Sequence, residues 1–233
     1  MSRRTILIFM SMAAMVMLVS GVALAAVVVG TDDPETLDGT NNPDLITALG
    51  GNDVLYGKDA ADELRAGVGN DEAYGENGND TYYGGAGDDY LSEYYGLTPE
   101  PTGDGYRGID VMFGGGGEDY LEGARSGDEL HGGPNPPVSD TVGYEELYGD
   151  TGNDRLYGED GPDSMLGDQG SDLLSGGADN DRIHAAANET VDTPDTVRCG
   201  SGVDTVIANE NDIVDPNCED VTRVANPLPP PVE

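Results

Sequence analysis

The sequence predicts an all-β fold, a solenoid in which short strands alternate with tight turns and successive coils stack on one another. Acidic residues recur every nine residues from Asp44 to Asp89, each behind a glycine-rich stretch and two residues before an apolar residue or Ala73. One inward residue per nine suits a three-residue strand whose centre points inward, whereas a helix needs apolar residues every three or four positions. Glycine makes up 36 of the 233 residues and supplies the turns, because it adopts positive φ at no steric cost.

The N-terminal segment, residues 1–25, is predicted to be a signal peptide. Arg3 and Arg4 precede an apolar run from Ile6 to Val19, and the small residues at 23–25 form a typical cleavage site. The run is short for a membrane span, so a retained anchor is the less favoured alternative. We therefore expect a secreted chain that has no membrane contact after cleavage, in a compartment where disulfides persist.

The repeat has nine positions: usually Gly at one and four, an acid at six, and an apolar residue at eight. Clear copies are GENGNDTYY (75–83), GGAGDDYLS (84–92) and GGGGEDYLE (114–122). The predicted inward residues at position eight are Leu37, Ile46, Leu55, Leu64, Ala73, Tyr82, Leu91, Met112, Leu121, Leu130, Leu147, Leu156, Met165, Leu174, Ile183, Val197 and Val206.

The repeats divide the chain into segments. A first block spans 30–92, an inserted loop follows at 93–104, and second and third blocks fill 105–184 with a break at 132–139. Divergent repeats lead into a C-terminal cap at 190–225, and 226–233 is a proline-rich tail.

The acidic residues should form two columns. Two strands and two turns make a coil of 18 residues, so Asp44, Asp62 and Asp80 stack on one side and Asp53, Asp71 and Asp89 on the other. Carboxylates about 4.8 Å apart repel each other by about 3 to 4 kcal/mol at an effective dielectric of 20. We therefore expect cations between the turns. Carboxylate and carbonyl oxygens favour calcium, whereas zinc or copper would need His or Cys.

The net charge of −36 excludes nucleic acid as a partner, since phosphates would be repelled. The same composition is also typical of a disordered acidic polymer. The regular spacing favours a folded, cation-bound chain over that alternative.

The copies GGAGDDYLS and GGGGEDYLE resemble the G-G-x-G-x-D-x-U-x nonapeptide of the repeats-in-toxin (RTX) family, the haemolysin-type calcium-binding repeat. The resemblance implies a parallel β-roll with two short strands per coil and several Ca²⁺ ions in the turns, bound by the position-six carboxylate and by turn carbonyls. The ligands it implies are Asp53, Asp71, Asp80, Asp89, Asp110, Asp119, Asp154, Asp163, Asp172 and Asp181. Weaker matches are Asp44, Asp62, Asp128 and Asp204.

Some repeats depart from the family pattern. The first two lack Gly at position four, so Glu35 and Asp44 are interpreted as parts of an N-terminal cap. Glu145 replaces Asp in another repeat. Many relatives leave the cell through an exporter that reads a C-terminal signal, and the N-terminal signal peptide argues against that route here.

The two cysteines, Cys199 and Cys218, are predicted to form a disulfide. They lie 19 residues apart, which is close to one coil, so stacked neighbours would bring their Cα atoms to about 4.8 Å. The bridge would fasten the last coil.

No catalytic motif accompanies the repeats, so we expect a protein that is not an enzyme. The favoured function is a secreted calcium-binding module with a structural or adhesive role, whose partner would be a cell-surface or extracellular glycan or protein. The alternatives are an accessory module related to secreted proteases, lipases or epimerases, and an acidic calcium-buffering matrix polymer. Tyrosines at position nine, such as Tyr56 and Tyr83, should form outward stripes that cover the strands or stack on carbohydrate.

Overall fold

The structure is a computed structural model that describes residues 25–93, 108–134, 144–186 and 193–225. Its strands form two sheets. Sheet A contains β1 (Val27–Val29), β3 (Leu45–Gly50), β5 (Glu63–Val68), β7 (Thr81–Ala86), β9 (Val111–Gly116), β11 (Glu129–Pro134), β13 (Arg155–Asp160), β15 (Leu173–Ala178), β17 (Thr196–Ser201) and β19 (Ile213–Val214). Sheet B contains β2 (Thr36–Asp38), β4 (Val54–Asp59), β6 (Glu72–Asn77), β8 (Tyr90–Ser92), β10 (Tyr120–Glu122), β12 (Glu145–Tyr148), β14 (Asp163–Leu166), β16 (Arg182–His184), β18 (Thr205–Asn209) and β20 (Asp220–Val224).

Consecutive strands alternate between the sheets, and every pair of neighbours within a sheet is parallel. Ile46 pairs with Leu64, and Leu64 pairs with Tyr82, so one coil takes 18 residues in this region. Both sheets continue past the inserted loop, because Tyr82 pairs with Met112 and β8 pairs with β10. The fold is the predicted parallel β-roll with two strands per coil.

The strands are longer than the three residues predicted from the pattern. Most strands of sheet A have six residues, and in β4 the burial alternates so that both Leu55 and Gly57 face inward. The backbones of the turns also stack in register, for example Leu49 on Gly67, so ladder pairing continues past position nine. Position one is therefore a second inward position.

The core is one cluster of side chains between the two sheets, formed by the position-eight residues and by small position-one residues such as Ala48 and Ala66. All the position-eight residues predicted to point inward are buried. Within the described residues, Tyr82 is the one aromatic side chain of this cluster, and its hydroxyl reaches sheet B, where it accepts a hydrogen bond from the amide of Gly75 at 3.0 Å. The small Ala73, two residues before Gly75, leaves room on that strand for the larger ring.

The roll extends beyond the predicted repeats at both ends. At the N-terminus β1 pairs with β3, and at the C-terminus β19 and β20 pair with β17 and β18. The disulfide prediction is confirmed: Cys199 and Cys218 are bonded, with Cα atoms 5.3 Å apart.

Several predicted segments lie wholly or largely outside the described residues. They are the signal peptide, the inserted loop, the break between repeat blocks and the proline-rich tail. Within the part of the chain that the structure describes, no helix is long and apolar enough to cross a membrane.

Aromatic rings stack along the outer face of each sheet. On sheet A, the ring centroid of Phe113 lies 5.3 Å from that of Tyr83 and 4.8 Å from that of His131. The ring centroids of His131 and Tyr157 are 4.7 Å apart. On sheet B the row is Tyr56, Tyr74, Tyr90, Tyr120 and Tyr148. Tyr90 and Tyr120 are at position seven of the repeat. The aromatic row on sheet B therefore draws on positions seven and nine, and not on position nine alone as predicted. The rings pack against one another across coils and so add cross-strand contacts to the sheets.

Candidate metal centre

In most turns the residues at positions two and four have positive φ. In the turn of 84–89, Gly85 and Gly87 have φ of 119° and 128°. Other residue types adopt the same conformation elsewhere, including Leu49 at 84° and Lys58 at 91°, both at position two. Glycine removes the cost of this conformation, and other residues are held in it by the stacked turns.

Two columns of acidic residues run along the two edges of the roll. Edge 1 is the set of turns from sheet B to sheet A, and its column is Asp44, Asp62, Asp80, Asp110, Asp128, Asp154, Asp172, Asp195 and Asp212. Edge 2 is the set of turns from sheet A to sheet B, and its column is Glu35, Asp53, Asp71, Asp89, Asp119, Glu145, Asp163, Asp181, Asp204 and Glu219.

In most aspartates of the columns, one carboxylate oxygen links adjacent coils. On edge 1 the amide of Asp62 donates to Oδ1 of Asp80 at 2.7 Å, and the amide of Asp80 donates to Oδ1 of Asp110 at 2.6 Å. On edge 2 the amide of Asp71 donates to Oδ1 of Asp89 at 2.9 Å. The backbone therefore offsets part of the charge in each column.

The second carboxylate oxygen has no such partner in most repeats. Oδ2 is buried and accepts no hydrogen bond in Asp53, Asp62, Asp71, Asp80, Asp89, Asp110, Asp119, Asp128, Asp154, Asp181 and Asp204. A buried oxygen without a donor costs about 1–3 kcal/mol, and more when it is charged. The columns thus hold acceptor groups that a cation would satisfy.

A carbonyl oxygen converges with this Oδ2 at the glycine of position one. A Cβ added to Gly114 would lie 2.5 Å from Oδ2 of Asp119 and 2.8 Å from the carbonyl oxygen of Gly132 in the next coil. The same pair of oxygens, one carboxylate and one carbonyl, surrounds Gly57, Gly84 and Gly149. Glycine leaves room for the two oxygens in these turns, whereas Ala48 and Ala66 occupy position one in two other repeats.

Burial raises the pKa of many carboxylates in the two columns. It raises the pKa of Asp89 and of Asp154 to about 8, although the backbone hydrogen bond that each accepts acts in the opposite direction. The pKa of Asp80 is raised to about 7 by burial, with further contributions from Asp110 and Asp62. In the absence of cations, these groups bind protons near neutral pH, because the interior does not solvate their charge.

The donor set fits calcium. Buried carboxylate and carbonyl oxygens are the hard ligands that calcium takes in groups of six to eight. In the described ranges, no three His, Cys, Asp or Glu side chains converge as a compact metal cluster, so carbonyls would supply much of the coordination. His131 lies on the outer face between Glu129 and Glu159, away from the turns.

At the first coils of edge 1, the side chain of Lys58 provides a positive charge. Its ammonium group donates to the carbonyl oxygen of Gly39 at 2.9 Å and lies 3.2 Å from the carboxylate of Asp38. This contact satisfies a carbonyl of position one at the N-terminal end of that edge.

The structure brings all the predicted ligand residues into the two columns. The weaker matches Asp62, Asp128 and Asp204 are as deeply buried as the stronger ones, and Asp44 is 5% exposed. Their neighbouring turns stack in register, so a departure at position four does not remove the aspartate from its column.

Sequence reasoning missed the column members Asp195, Asp212 and Glu219, and also the buried Glu93. The spacing along the edges changes to 17 residues before Asp212 and to 15 before Glu219, which hides the period. The available signal was a valine two residues after each of Asp195, Asp212 and Glu219.

The RTX calcium-binding nonapeptide repeat family matches the chain in four copies, at residues 29–64, 56–91, 104–134 and 146–187. Together the copies cover more than half of the chain and include most of both columns. A search of curated proteins found no match to the chain.

Proposed function

Because the chain belongs to the RTX calcium-binding nonapeptide repeat family, we propose that it is a secreted, non-catalytic β-roll that folds around calcium and serves a structural or adhesive role outside the cell. Calcium binding by a β-roll is the property of the family. Secretion, the individual ligands and the biological role are the proposal.

The observation that carries the proposal is the convergence of a buried, unpartnered Oδ2 with a carbonyl oxygen in turn after turn. We assign side-chain ligation to Asp53, Asp71, Asp80, Asp89, Asp110, Asp119, Asp154, Asp163, Asp172 and Asp181, and also to Asp44, Asp62, Asp128 and Asp204. A Ca²⁺ ion between adjacent turns would neutralise the charge that otherwise opposes stacking of the coils.

Export is supported by the N-terminal sequence and by the disulfide. A basic start, a short apolar run and small residues at 23–25 are typical of a signal peptide, and the Cys199–Cys218 bridge suits an oxidising compartment. Mass spectrometry of the exported chain is expected to find Ala26 at its N-terminus. A chain retained with residues 1–25 would contradict export.

A non-catalytic role is supported by how the charged residues are used. The aspartates of both edges belong to one repeating structural pattern, and His131 is engaged by two glutamates within the outer aromatic row. The ordered roll also favours a defined module over an acidic polymer without a fold. An accessory module of a secreted protease, lipase or epimerase remains the second candidate, because the repeat family favours it.

The aromatic rows favour a structural role over binding of sugar rings. The stacked rings of Tyr90 and Tyr120 are nearly parallel, with an interplanar angle of 5°, and so are those of Tyr83 and Phe113 at 9°. The faces of these rings are covered by their neighbours, and sugar stacking needs an open face. A glycan or protein partner would therefore bind through polar contacts.

The test compares two adjacent aspartates by calorimetric calcium titration. Asp89 is buried at position six, whereas Asp88 is exposed and its side chain contacts Asn70 and the amide of Glu118. Asp89→Asn is expected to reduce the number of bound ions or to weaken binding about tenfold, because an edge 2 ligand loses its charge. Asp88→Asn is the control and should titrate like the unaltered protein. Equal behaviour of the two variants would contradict the ligand assignment.

A further inference from the structure

Glu93 stands at a position that glycine occupies in nearby repeats. The amide of Glu76 donates to the carbonyl of Glu93 at 3.0 Å, and Tyr74 pairs with Ser92, so Glu93 aligns with Gly75 at position one. In ordinary repeats an added Cβ at this position would collide with the carboxylate of position six. Here the chain departs into the inserted loop after position one, and the side chain of Glu93 occupies that space instead.

The side chain of Glu93 is buried beside another carboxyl group. It has no exposed surface, and among the described residues no amide, hydroxyl or cationic group donates to its carboxylate oxygens. It faces the carboxyl group of Asp110, the position-six residue of the turn through which the chain re-enters the roll. The Oδ2 of Asp110 is also buried without a donor, while its Oδ1 accepts the amide of Asp80.

Two facing carboxyl groups without a donor need a proton or a cation between them. Besides Asp110, the charges that act most strongly on Glu93 are those of Asp128 and Asp80, which are also acidic. Two carboxylates about 4 Å apart repel by about 4 kcal/mol at an effective dielectric of 20, so the pair is unstable as two free anions. Edge 1 already presents oxygen ligands suited to calcium on both sides of this pair.

We propose that Glu93 and Asp110 ligate one Ca²⁺ ion together, at the point where the chain leaves the roll and re-enters it. This inference rests on the proposed function, and it assigns a ligand that the nonapeptide pattern does not contain. The site has two facing carboxylates where an ordinary turn offers one carboxylate and one carbonyl. Because calcium affinity rises with ligand charge, this site binds calcium more tightly than the repeat sites. The ion links the residues on either side of the inserted loop.

The test is calcium titration of the purified protein in competition with a chromophoric chelator. The unaltered protein is expected to show one tight site in addition to weaker sites. Glu93→Gln should weaken the tight site about tenfold and leave the others unchanged, since it removes one ligand charge. Glu93→Gly, which restores the repeat residue, serves as a second variant and should lose the tight site in the same way. Glu146→Gln is the matched control, because Glu146 is exposed on the outer face of sheet B.

The outcomes separate this inference from the proposed function. If Glu93→Gln and Glu93→Gly bind calcium as the unaltered protein does, the pair shares a proton and the inference is wrong, while the repeat sites stand. If the unaltered protein shows no tight site, the inference is also wrong. If neither the unaltered protein nor any variant binds calcium, the proposed function itself fails. Circular dichroism in excess calcium checks that the variants form the same roll.

Discussion

At the scale of single residues, each repeat position has its own physical requirement. Position eight fills the core, position six supplies the carboxylate, and positions two and four have positive φ in most turns. Glycine at position one serves a different purpose in turns such as 114–119, since two oxygens take the space of its side chain. Two glycines in one turn can therefore tolerate substitution very differently.

Gly114 and Gly116 test this distinction within one turn. A Cβ on Gly114 would lie 2.5 Å from Oδ2 of Asp119, whereas a Cβ on Gly116 would find nothing nearer than 3.7 Å. Neither glycine has positive φ. Gly114→Ala is expected to destabilise the calcium-loaded roll by about 2–3 kcal/mol, and Gly116→Ala by less than about 0.5 kcal/mol. Thermal unfolding in calcium measures both, and equal losses would contradict the role assigned to position one.

Much of this residue-level picture could be predicted from the sequence. The apolar residues of position eight and the stacking of Asp44, Asp62 and Asp80 follow from a period of nine, and both predictions are confirmed. The role of position one could not be predicted, because the pattern records glycine without saying which atoms approach it. Glu93 was also missed, because it begins an insertion in which the period is lost.

At the scale of elements, the ends of the roll depend on contacts that the repeat does not encode. The strands β1, β19 and β20 lie outside the regular array, and valine and isoleucine replace leucine in them. The spacing stays at 18 residues at β1 and shortens only at the C-terminal end. Pattern reasoning placed only a cap there. The Cys199–Cys218 bridge joins β17 to the segment between β19 and β20, and so holds the final coil in place.

Removing the disulfide should loosen the C-terminal coil first. The bridge closes a loop with a sequence separation of 19, for which chain entropy predicts about 3 kcal/mol of stabilisation. The double variant Cys199→Ser/Cys218→Ser is expected to lose about 2–4 kcal/mol in urea unfolding. Hydrogen exchange should accelerate in β17–β20 before β3–β7, and reductant should not affect the variant. Uniform acceleration along the roll would contradict a local role for the bridge.

At the scale of the whole molecule, the two acidic columns make stability depend on what neutralises them. The chain carries a net charge of −36, and most of the column carboxylates are buried. On the proposed ligand assignment, protons and calcium compete for the same oxygens, since calcium ligands must be deprotonated. The calcium-free and calcium-loaded proteins should therefore respond to pH in opposite directions.

Without calcium, the roll should lose stability as pH rises. Burial raises the folded-state pKa of Asp119 to about 6, of Asp62 to about 7 and of Asp89 to about 8, all above the ordinary pKa of aspartate, about 3.9. The folded state then binds more protons than the unfolded state between about pH 4 and pH 8, so stability is present below pH 4 and is lost as pH rises through the folded pKa values. Urea unfolding in excess chelator from pH 4 to 8.5 measures this. Stability that increases with pH in chelator would contradict the account.

The central claim is that calcium assembles the roll, and far-UV circular dichroism of the purified protein during a calcium titration tests it most directly. We expect a cooperative change from coil to β-structure at about 10⁻⁴–10⁻³ M calcium, the range of extracellular modules. Magnesium at the same concentrations should not produce it, because magnesium demands tighter octahedral geometry. A spectrum that is already β-rich in chelator at pH 7.5 and does not change with calcium would contradict the claim. So would a chain that stays disordered at about 10 mM calcium.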